Sequence, residues 1–400
     1  MYDFDHIIDR YNTNAIKYDY ITNPKFPADT IPMWVADMDF AAPPEVLEDI
    51  KKAVDHGVFG YSMPEEGYYT AITNWFERRH GFHVQASEIV NAPGVVYAIA
   101  QMIQAFTEVG DAVLIQTPVY HPFREVIQSN RRKLVTNSLV HEDNTYTIDF
   151  GDFEDKIIHN QVKLFIFCNP HNPVGRVWKR TEIERINEIC EKHQVLIISD
   201  EIHCEFIHGE CTHESFWKMN DQAILTTAPS KTFNLAGLQV AQVFIKDKEK
   251  RNKLKKQIAA SGYGELNTLG LVACQSAYEK GEAWITALNS YLQKNISFVR
   301  EYIKTNLPMV KLVEPEGSYL LWLDFSEYDI LQEVLEERMY QGARVFLSSG
   351  TTYGVEGYGF FRMNIACPRV TIAEALDRIK AEFTKKVEWI HLDTFQHYGD

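Results

Sequence analysis

Two residues whose types could do chemistry each follow a run of apolar residues. Asp200 comes directly after residues 195–199, and Lys231 comes shortly after residues 223–227. A carboxylate at the end of an apolar strand is costly to bury alone, so Asp200 should face a protonated heterocycle, an arginine or a helix end. A desolvated lysine amine near a positive charge loses its proton more readily and can act as nucleophile and then as base. For Lys231, an ordinary exposed lysine remains the alternative.

The elements that must position these two residues can be predicted from apolar runs that are continuous rather than alternating. Such runs are typical of strands that are buried on both faces. Longer amphipathic segments lie between them, and they predict helices over residues 96–109 and 181–193, the second with a possible capping box of Thr181 and Glu184. The fold class is therefore α/β with a mostly parallel sheet, whose ligand crevice lies at the carboxyl ends of the strands. The predicted strands are residues 112–116, 163–168, 195–199, 223–227 and 240–245.

The pattern changes after about residue 285, which indicates a second unit. A long helix-like segment is followed by an apolar run over 313–325, a further helix near 330–340 and a glycine-rich stretch over 350–359. These features predict a smaller α+β domain. We expect a large domain over residues 48–285 and a small domain formed by residues 1–47 and 286–400.

Composition excludes several classes of protein. A chain of 400 residues with 45% hydrophobic content can bury a large core, and its net charge of −15 argues against nucleic acid as the main partner. The first residues are acidic where a secretory signal would be basic, and no apolar run is long enough for a membrane span. The six cysteines show no paired spacing. A cytoplasmic enzyme with reduced cysteines and a small-molecule substrate is expected.

One segment is rich in potential metal ligands. Residues 203–213 contain three histidines and two cysteines. Structural zinc sites usually pair their ligands at short regular spacings, and this segment has no such pairing. We interpret it as a surface loop without a metal.

The order of several short motifs resembles that of a known family. The chain resembles the fold-type I pyridoxal-phosphate enzymes, specifically the class I/II aminotransferase superfamily in its cystathionine β-lyase branch, the carbon–sulfur lyases of the MalY and PatB type. The resemblance extends over nearly the whole chain. The matching segments are residues 33–40, 60–61, 91–96, 117–120, 169–175, 199–203, 230–231 and 361–362.

The resemblance implies roles for four residues around the ring of pyridoxal 5′-phosphate. Lys231 would form the Schiff base with the cofactor and later move protons at the substrate α-carbon, while Asp200 would pair with the pyridine nitrogen. Tyr120 would stack on the ring, although a lone tyrosine is more often part of the core. Asn172 would donate to the phenolic oxygen and reach the substrate carboxylate, although it could be only a turn residue between two prolines.

The phosphate of the cofactor is expected at a helix N-terminus. Gly94 and Val95 open the predicted helix, and their backbone amides could bind an anion, with the hydroxyl of Ser230 beside them. Tyr61 resembles the tyrosine that reaches the phosphate in the neighbouring subunit, which implies a homodimer with shared active sites. Many aminotransferases have an arginine eight residues after the lysine, where this chain has Gln239.

Two further positions concern the substrate and the ring. Arg362 is the candidate for binding the substrate carboxylate, because a guanidinium group can bind it through two hydrogen bonds. His203 stands where the family often has a tyrosine that contacts the phenolic oxygen, and its role stays open. Asp37 and Asp39 are interpreted as capping or turn groups, and we assign no metal to the site.

The branch implies an activity as well as a cofactor. We expect α,β-elimination of L-cystathionine or related S-substituted cysteines to a thiol, pyruvate and ammonia. The alternative on the same scaffold is an aminotransferase that acts on a small amino acid. A regulatory protein that binds another protein is a third possibility, since the branch is reported to include a member with a regulatory role.

Overall fold

A central sheet of seven strands forms the larger part of the computed structural model, which describes residues 2–22 and 25–385. In the described residues the strand order is β2-β10-β9-β8-β7-β3-β4. Strand β10 runs antiparallel to both of its neighbours, and the other pairs are parallel. The predicted α/β class with a mostly parallel sheet is confirmed. The strands are β1 Ile31–Pro32, β2 Ile89–Ala92, β3 Ala112–Thr117, β4 Lys133–Ser138, β5 Val140–Glu142, β6 Thr145–Thr147, β7 Leu164–Cys168, β8 Leu196–Asp200, β9 Ile224–Thr227, β10 Ala241–Phe244, β11 Lys311–Leu312, β12 Leu320–Asp324, β13 Val345–Phe346, β14 Ser348–Ser349 and β15 Phe360–Asn364.

Helices cover the faces of this sheet, and helix α11 is the longest of those described. The helices are α1 Ile16–Asp19, α2 Pro44–His56, α3 Glu66–His80, α4 Val95–Phe106, α5 Pro122–Ser129, α6 Phe150–Asn160, α7 Arg180–Lys192, α8 Pro229–Thr232, α9 Lys248–Ala260, α10 Thr268–Lys280, α11 Glu282–Asn306, α12 Gln332–Glu337 and α13 Arg369–Phe383.

The continuous apolar runs became strands because both faces of the sheet are covered. In β7 and in β9 every residue is buried, and the same is true of β3 and β10. A strand with helices on both faces has no wet side, so polar residues have no reason to alternate with apolar ones. The five predicted strands therefore agree with the structure to within about two residues at each end.

The start of helix α7 differs from its prediction. The expected capping box of Thr181 and Glu184 is wrong, because the helix begins one residue earlier, at Arg180. Glu182 accepts a hydrogen bond from the backbone N–H of Lys179 at 2.8 Å. Glu184 instead pairs with Arg180 one turn away on the helix surface. The predicted helix over 96–109 exists as α4, which ends three residues earlier than expected.

The register of the central sheet aligns the ends of its strands. Along one edge, Ala92 of β2 pairs with Ala241 of β10, and Asp200 of β8 lies between Cys168 of β7 and Thr226 of β9. The segments that follow β2, β3, β7, β8 and β9 therefore emerge at the same edge. These are the segments that carry most of the predicted site residues.

A second sheet follows helix α11. Its order in the described residues is β11-β12-β15-β14, and all of its pairs are antiparallel. The N-terminal strand β1 pairs in parallel with β13, so the first part of the chain packs beside this second region. The division into domains at residues 48 and 286 stays a prediction, and its residues 1, 23–24 and 386–400 lie outside the described residues.

The interior of the central sheet should control stability. Ile198, at the middle of β8, is fully buried, so replacing it with alanine removes buried methyl groups and leaves a cavity beneath Asp200. We expect Ile198→Ala to lower the free energy of unfolding by about 2–5 kcal/mol. The measurement is the shift of the urea midpoint. Ile158→Ala, at a half-exposed position on α6, is the control, and an equal loss in both variants would contradict this account.

Candidate active site

Lys231 lies in the short helix α8, just beyond strand β9. Its Nζ atom donates a hydrogen bond to the carbonyl oxygen of Ala36 at 2.7 Å. Burial lowers the pKa of Lys231 to about 8, and the nearby positive charge of Arg362 acts in the same direction. Asp37 and Asp200 oppose this shift in part. The amine is therefore close to a state in which it can give up and take back a proton near neutral pH.

Asp200 is buried at the carboxyl end of β8. Its Oδ1 atom accepts the backbone N–H of Ile202 at 3.2 Å, and it forms no ion pair with a cation of the described residues. Burial raises the pKa of this carboxyl to about 7, and the charge of Lys231 offsets the shift only partly. A buried carboxylate without a cation in contact is unfavourable, so this position is suited to a positively charged group bound from outside the chain.

Arg362 and Asn172 meet across the two sheets. Arg362 is buried in β15 and donates through Nη1 to Oδ1 of Asn172 at 3.0 Å and through Nη2 to the carbonyl of Trp34 at 2.7 Å. Its guanidinium carbon lies 5.0 Å from the ring centre of Tyr353, which is a cation–π distance. The buried Nε atom has no hydrogen-bond partner among the described residues. A guanidinium group has five N–H donors, so donors remain for a carboxylate ligand.

Tyr120 lies in the segment that follows strand β3. Its backbone N–H donates to the carbonyl of Asn172 at 3.0 Å, which fixes these two segments to each other. The ring packs edge-on against Phe123 with a centroid distance of 5.7 Å. Burial raises the pKa of Tyr120, so the phenol keeps its proton at neutral pH. The ring borders the same cavity as Lys231 and Arg362.

The irregular segment of residues 34–38, which bends at residues 35–37 and which we call the carbonyl segment, joins these side chains. Lys231 and the hydroxyl of Tyr319 both donate to the carbonyl of Ala36, and the Tyr319 distance is 3.0 Å. Asn364 donates through Nδ2 to the carbonyls of Val35 and Asp37, both at 2.6 Å. The position of this segment is thus fixed by the same side chains that form the site.

Asp37 and Asp39 are ion-paired, so their interpretation as capping or turn groups is wrong. Arg10 contacts a carboxylate oxygen of each at 2.7 Å. The fully buried Lys17 contacts Asp39 at 2.8 Å. These cations come from the N-terminal residues and hold the carbonyl segment from its outer side.

His203 is buried beside the carbonyl segment. Its Nδ1 atom lies 3.2 Å from the hydroxyl of Ser318, and its ring packs edge-on against Tyr319 at 5.7 Å. Burial lowers the pKa of His203 to about 3, and the charges of Lys231 and Arg362 add to this shift. The ring is therefore neutral at physiological pH.

The expected phosphate residues lie at the same edge of the sheet. Gly94 caps helix α4 at its N-terminus, and a Cβ atom added there would meet no other atom within 4 Å. Val95 begins the helix, so its backbone N–H is one of the donors that have no partner within the helix. Ser230 lies in the first turn of α8, directly before Lys231. Gln239 is exposed and has a positive φ of 51°.

Tyr61 is the one predicted residue that the structure does not bring to the site within a single chain. It is fully exposed, and it lies in the irregular segment between helices α2 and α3. It does not line the cavity that contains Lys231. Any role at the cofactor would therefore require a second subunit.

Several site residues were missed by the sequence reasoning. Tyr353 and Tyr319 approach Arg362 and Ala36 from the second region of the chain, and Ser318 contacts His203. None of them lies in a motif, and only their positions directly before β12 and before β15 place them here. The backbone carbonyl of Ala36 could not be found from residue types.

The first part of the segment 203–213 is buried, so its interpretation as a surface loop is wrong there, whereas Gly209, Glu210 and Thr212 are exposed. His203, Cys204 and Glu205 are all buried. Nε2 of His80, from helix α3, lies 2.7 Å from Glu205 and 3.7 Å from the sulfur of Cys204. Both oxygens of Glu205 already accept hydrogen bonds, from Trp75 and His80 on one and from Arg79 on the other. We interpret this cluster as a buried ionic network that holds α3 against the segment after β8.

Comparison with known proteins agrees with this geometry. Residues 28–379 match the family model described as aminotransferase class I and II. The chain belongs to this family. It is 41% identical to cystathionine β-lyase PatB of Bacillus subtilis over 94% of this chain and 99% of that protein, and 32% identical to protein MalY of Escherichia coli over 92% and 95%. The crystal structure of cystalysin from Treponema denticola, which contains pyridoxal 5′-phosphate, superposes with a TM-score of 0.93 at 36% identity, covering 96% of this chain and 99% of that one. The predicted family, its branch and its cofactor are confirmed.

The donor set of this aminotransferase-family protein fits pyridoxal 5′-phosphate. Asp200 is a buried carboxylate that needs a cation, and a protonated pyridine nitrogen is one. The open space in front of Gly94, at the start of a 12-residue helix, can accept an anion. In the described residues no helix is both long and apolar enough to cross a membrane.

The raised pKa of Asp200 predicts a pH-dependent stability of the cofactor-free protein. Because the pKa is about 7 when folded and near 3.8 when unfolded, the unfolded state loses this proton first as pH rises. Ionisation then favours unfolding, and the penalty grows from about pH 4 to about pH 7. Asp200→Asn removes the penalty. As pH rises from about 4 to about 7, the urea midpoint of the variant should therefore increase relative to that of the unchanged protein. A constant difference between the two proteins over that range would contradict the prediction.

Proposed function

We propose that Lys231, Asp200, Tyr120, Asn172 and Arg362 carry out the chemistry of this protein, a pyridoxal-phosphate-dependent carbon–sulfur β-lyase. The observation that carries the proposal is that a lysine amine with a lowered pKa and a buried arginine border one cavity, next to an unpaired buried carboxylate. The reaction is α,β-elimination of an S-substituted L-cysteine, such as L-cystathionine. With water it yields a thiol, pyruvate and ammonia.

Arg362 binds and orients the substrate carboxylate. Two of its five N–H donors are used by Asn172 and Trp34, so a carboxylate can be bound without breaking these hydrogen bonds. The ring of Tyr353 beneath the guanidinium group and the partner Asn172 fix its plane. Such fixed orientation places the α-carbon of the substrate toward Lys231 on the other side of the cavity.

Lys231 moves the proton at the α-carbon. When bound, the cofactor supplies an electron sink for the charge that this step leaves on the substrate. The amine can hold or release a proton near neutral pH, because burial keeps its pKa at about 8. The carbonyl of Ala36 accepts a hydrogen bond from Nζ and so fixes the direction from which the amine acts. Asp200 stabilises the protonated ring nitrogen, and the ring of Tyr120 gives a flat surface for stacking.

The phosphate group is held by the start of helix α4 and by Ser230. The backbone amides of Gly94 and Val95 point from the helix N-terminus, where an anion is favoured. Many aminotransferases have an arginine at the position of Gln239, which carries no charge. In this chain the helix N-terminus and the hydroxyl of Ser230 would therefore supply a larger share of the phosphate binding. His203 stays neutral beside Lys231, and its ring helps to shape the wall next to the cofactor.

The protein works as a homodimer with shared sites. Exposed apolar side chains concentrate in the last turn of helix α2 and in the segment between α2 and α3, a grouping that is typical of an interface. Tyr61 lies within this group and would reach the phosphate in the partner subunit. We place the enzyme in the cytoplasm, since its six cysteines are free thiols. The net charge of −15 disfavours nucleic acid as a partner, and we propose no membrane partner. The exposed group is Val54, Val58, Phe59, Tyr61 and Met63.

The elimination can be tested without any amino-group acceptor. Incubation with L-cystathionine and no 2-oxo acid should release thiol and pyruvate in equal amounts, because elimination needs no second substrate. Lys231→Ala should lose this activity by at least about 1,000-fold and lose the near-ultraviolet to visible absorbance of the linked cofactor. Turnover that appears only after a 2-oxo acid is added would support the aminotransferase and refute the lyase.

Shared sites can be tested with a mixed dimer. Lys231→Ala and Tyr61→Ala subunits, each carrying a different affinity tag, should both give weakly active homodimers. A purified mixed dimer has one site with both Lys231 and Tyr61 intact, so it should recover about half of the activity of the unchanged dimer. A mixed dimer no more active than its parents, or full activity in the Tyr61→Ala homodimer, would refute the shared site.

A further inference from the structure

The cavity beside Lys231 and Arg362 extends away from these charges into an apolar region. Its volume is about 390 Å³ in the chain without cofactor, and most of the lining beyond Lys231 and Arg362 is apolar. We call the part beyond the two charges the outer pocket. Its apolar lining residues are Trp34, Val35, Tyr340, Phe346, Leu347 and Tyr353.

The polar groups of the outer pocket carry no net charge. The hydroxyl of Ser348 donates to the carbonyl of Trp34 at 3.2 Å, and that of Ser349 bonds to Glu336 at 2.5 Å. The hydroxyl of Tyr340 donates to the carbonyl of Leu347 at 3.1 Å. These groups are thus already satisfied by the protein itself.

His121 also lines the cavity, and its side chain can be charged or neutral depending on pH. Burial lowers the pKa of His121, and nearby Arg362 and Arg124 act in the same direction, while Glu125 opposes them. Because its ordinary pKa is 6.5, the ring is neutral at physiological pH. Among the described residues that line the cavity, only Lys231 and Arg362 can carry a positive charge at neutral pH.

A cluster of aromatic rings supports the wall of the outer pocket. Phe346 lies at its centre, with ring centroids 5.2 Å from Trp34, 4.8 Å from Tyr340 and 4.7 Å from Phe26. Tyr20 packs on Trp34 at 5.3 Å. Trp34 and Phe346 are partly exposed and Tyr20 is exposed, so these rings form one apolar side of the cavity and offer a substituent apolar contact rather than charge.

These observations bear on what can leave the β-carbon. The distal half of cystathionine carries both an ammonium and a carboxylate, and each needs an ionic partner or water when it is enclosed. Arg362 and Lys231 are committed to the α-carboxylate and to proton transfer under the proposed function. The segment that a partner subunit would bring with Tyr61, residues 57–63, contains no charged residue either.

We propose that the outer pocket selects S-substituted cysteines with an uncharged, apolar substituent, such as S-alkyl and S-aryl-methyl cysteines, over cystathionine. The inference rests on the proposed β-elimination and names the substrate class of the same site. The substituent lies against Phe346 and Tyr340, and elimination releases it as an apolar thiol. Apolar burial supplies the binding energy that the zwitterionic group of cystathionine would lose to desolvation.

The test compares substrates that all yield pyruvate. Purified holoenzyme is assayed with S-benzyl-L-cysteine, S-methyl-L-cysteine and L-cystathionine, and pyruvate is followed by reduction with lactate dehydrogenase. We expect kcat/KM for S-benzyl-L-cysteine to exceed that for cystathionine by about tenfold or more. An equal or higher kcat/KM for cystathionine would overturn this inference and leave the lyase standing. Absence of pyruvate from all three substrates would overturn the lyase itself.

A variant locates the selection at the aromatic wall. Phe346→Ala should lower kcat/KM for S-benzyl-L-cysteine by about tenfold and should lower that for S-methyl-L-cysteine much less, since the smaller group has little contact with the wall. The unequal loss separates this effect from misfolding, which would reduce both substrates alike. Phe298→Ala, a half-buried phenylalanine on helix α11 beside Tyr302, is the matched control and should change neither value. An equal loss with both substrates in Phe346→Ala would overturn the assignment of the wall.

Discussion

The site depends on a carboxylate that the protein buries without a cation of its own in contact. Asp200 ends a fully or partly buried strand of three apolar residues and Ser199, and it lies between two further strands of a sheet covered on both faces. A charge in such a place is unfavourable until a cation is bound beside it. The folded protein thus holds this carboxylate in an unfavourable state, and under the proposed function a protonated cofactor ring would relieve it.

A second constraint ties the two sheets together around that position. The carbonyl segment, residues 34–38, accepts hydrogen bonds from Lys231 at the end of the large sheet and from Arg362 and Asn364 in the smaller one. Carbonyl groups buried between two layers must find donors, and two of the donors here, Lys231 and Arg362, are the side chains to which the proposed function gives the chemistry. Binding geometry and domain packing are therefore set by the same hydrogen bonds, and Arg10 reinforces them from outside through Asp37.

Electrostatics then divides the cavity into two parts. Near Lys231 and Arg362 the lining is charged, and the two cations depress the pKa of His203 beyond what burial alone does. Farther out, the aromatic rings around Phe346 leave only neutral groups. Under the proposed function, a substrate would be held by charge at its amino-acid end and by apolar contact at the group that leaves. This arrangement suits a reaction in which a neutral thiol departs.

Local pattern was enough to predict the buried strands and to place Asp200 and Lys231 at or just beyond the ends of two of them, because chain continuity alone does this, whereas Asn172 and Arg362 were found only through the resemblance to the family. Motif order then supplied the family and its cofactor. Only the tertiary structure decided which residues that are far apart in the chain contact one another. It brought Ala36 to Lys231 across 195 residues and Trp34 to Arg362 across 328, it buried residues 203–206 of the ligand-rich segment, and it left Tyr61 on the surface of the single chain. Contacts between distant segments depend on how layers pack, and no spacing of residue types records that.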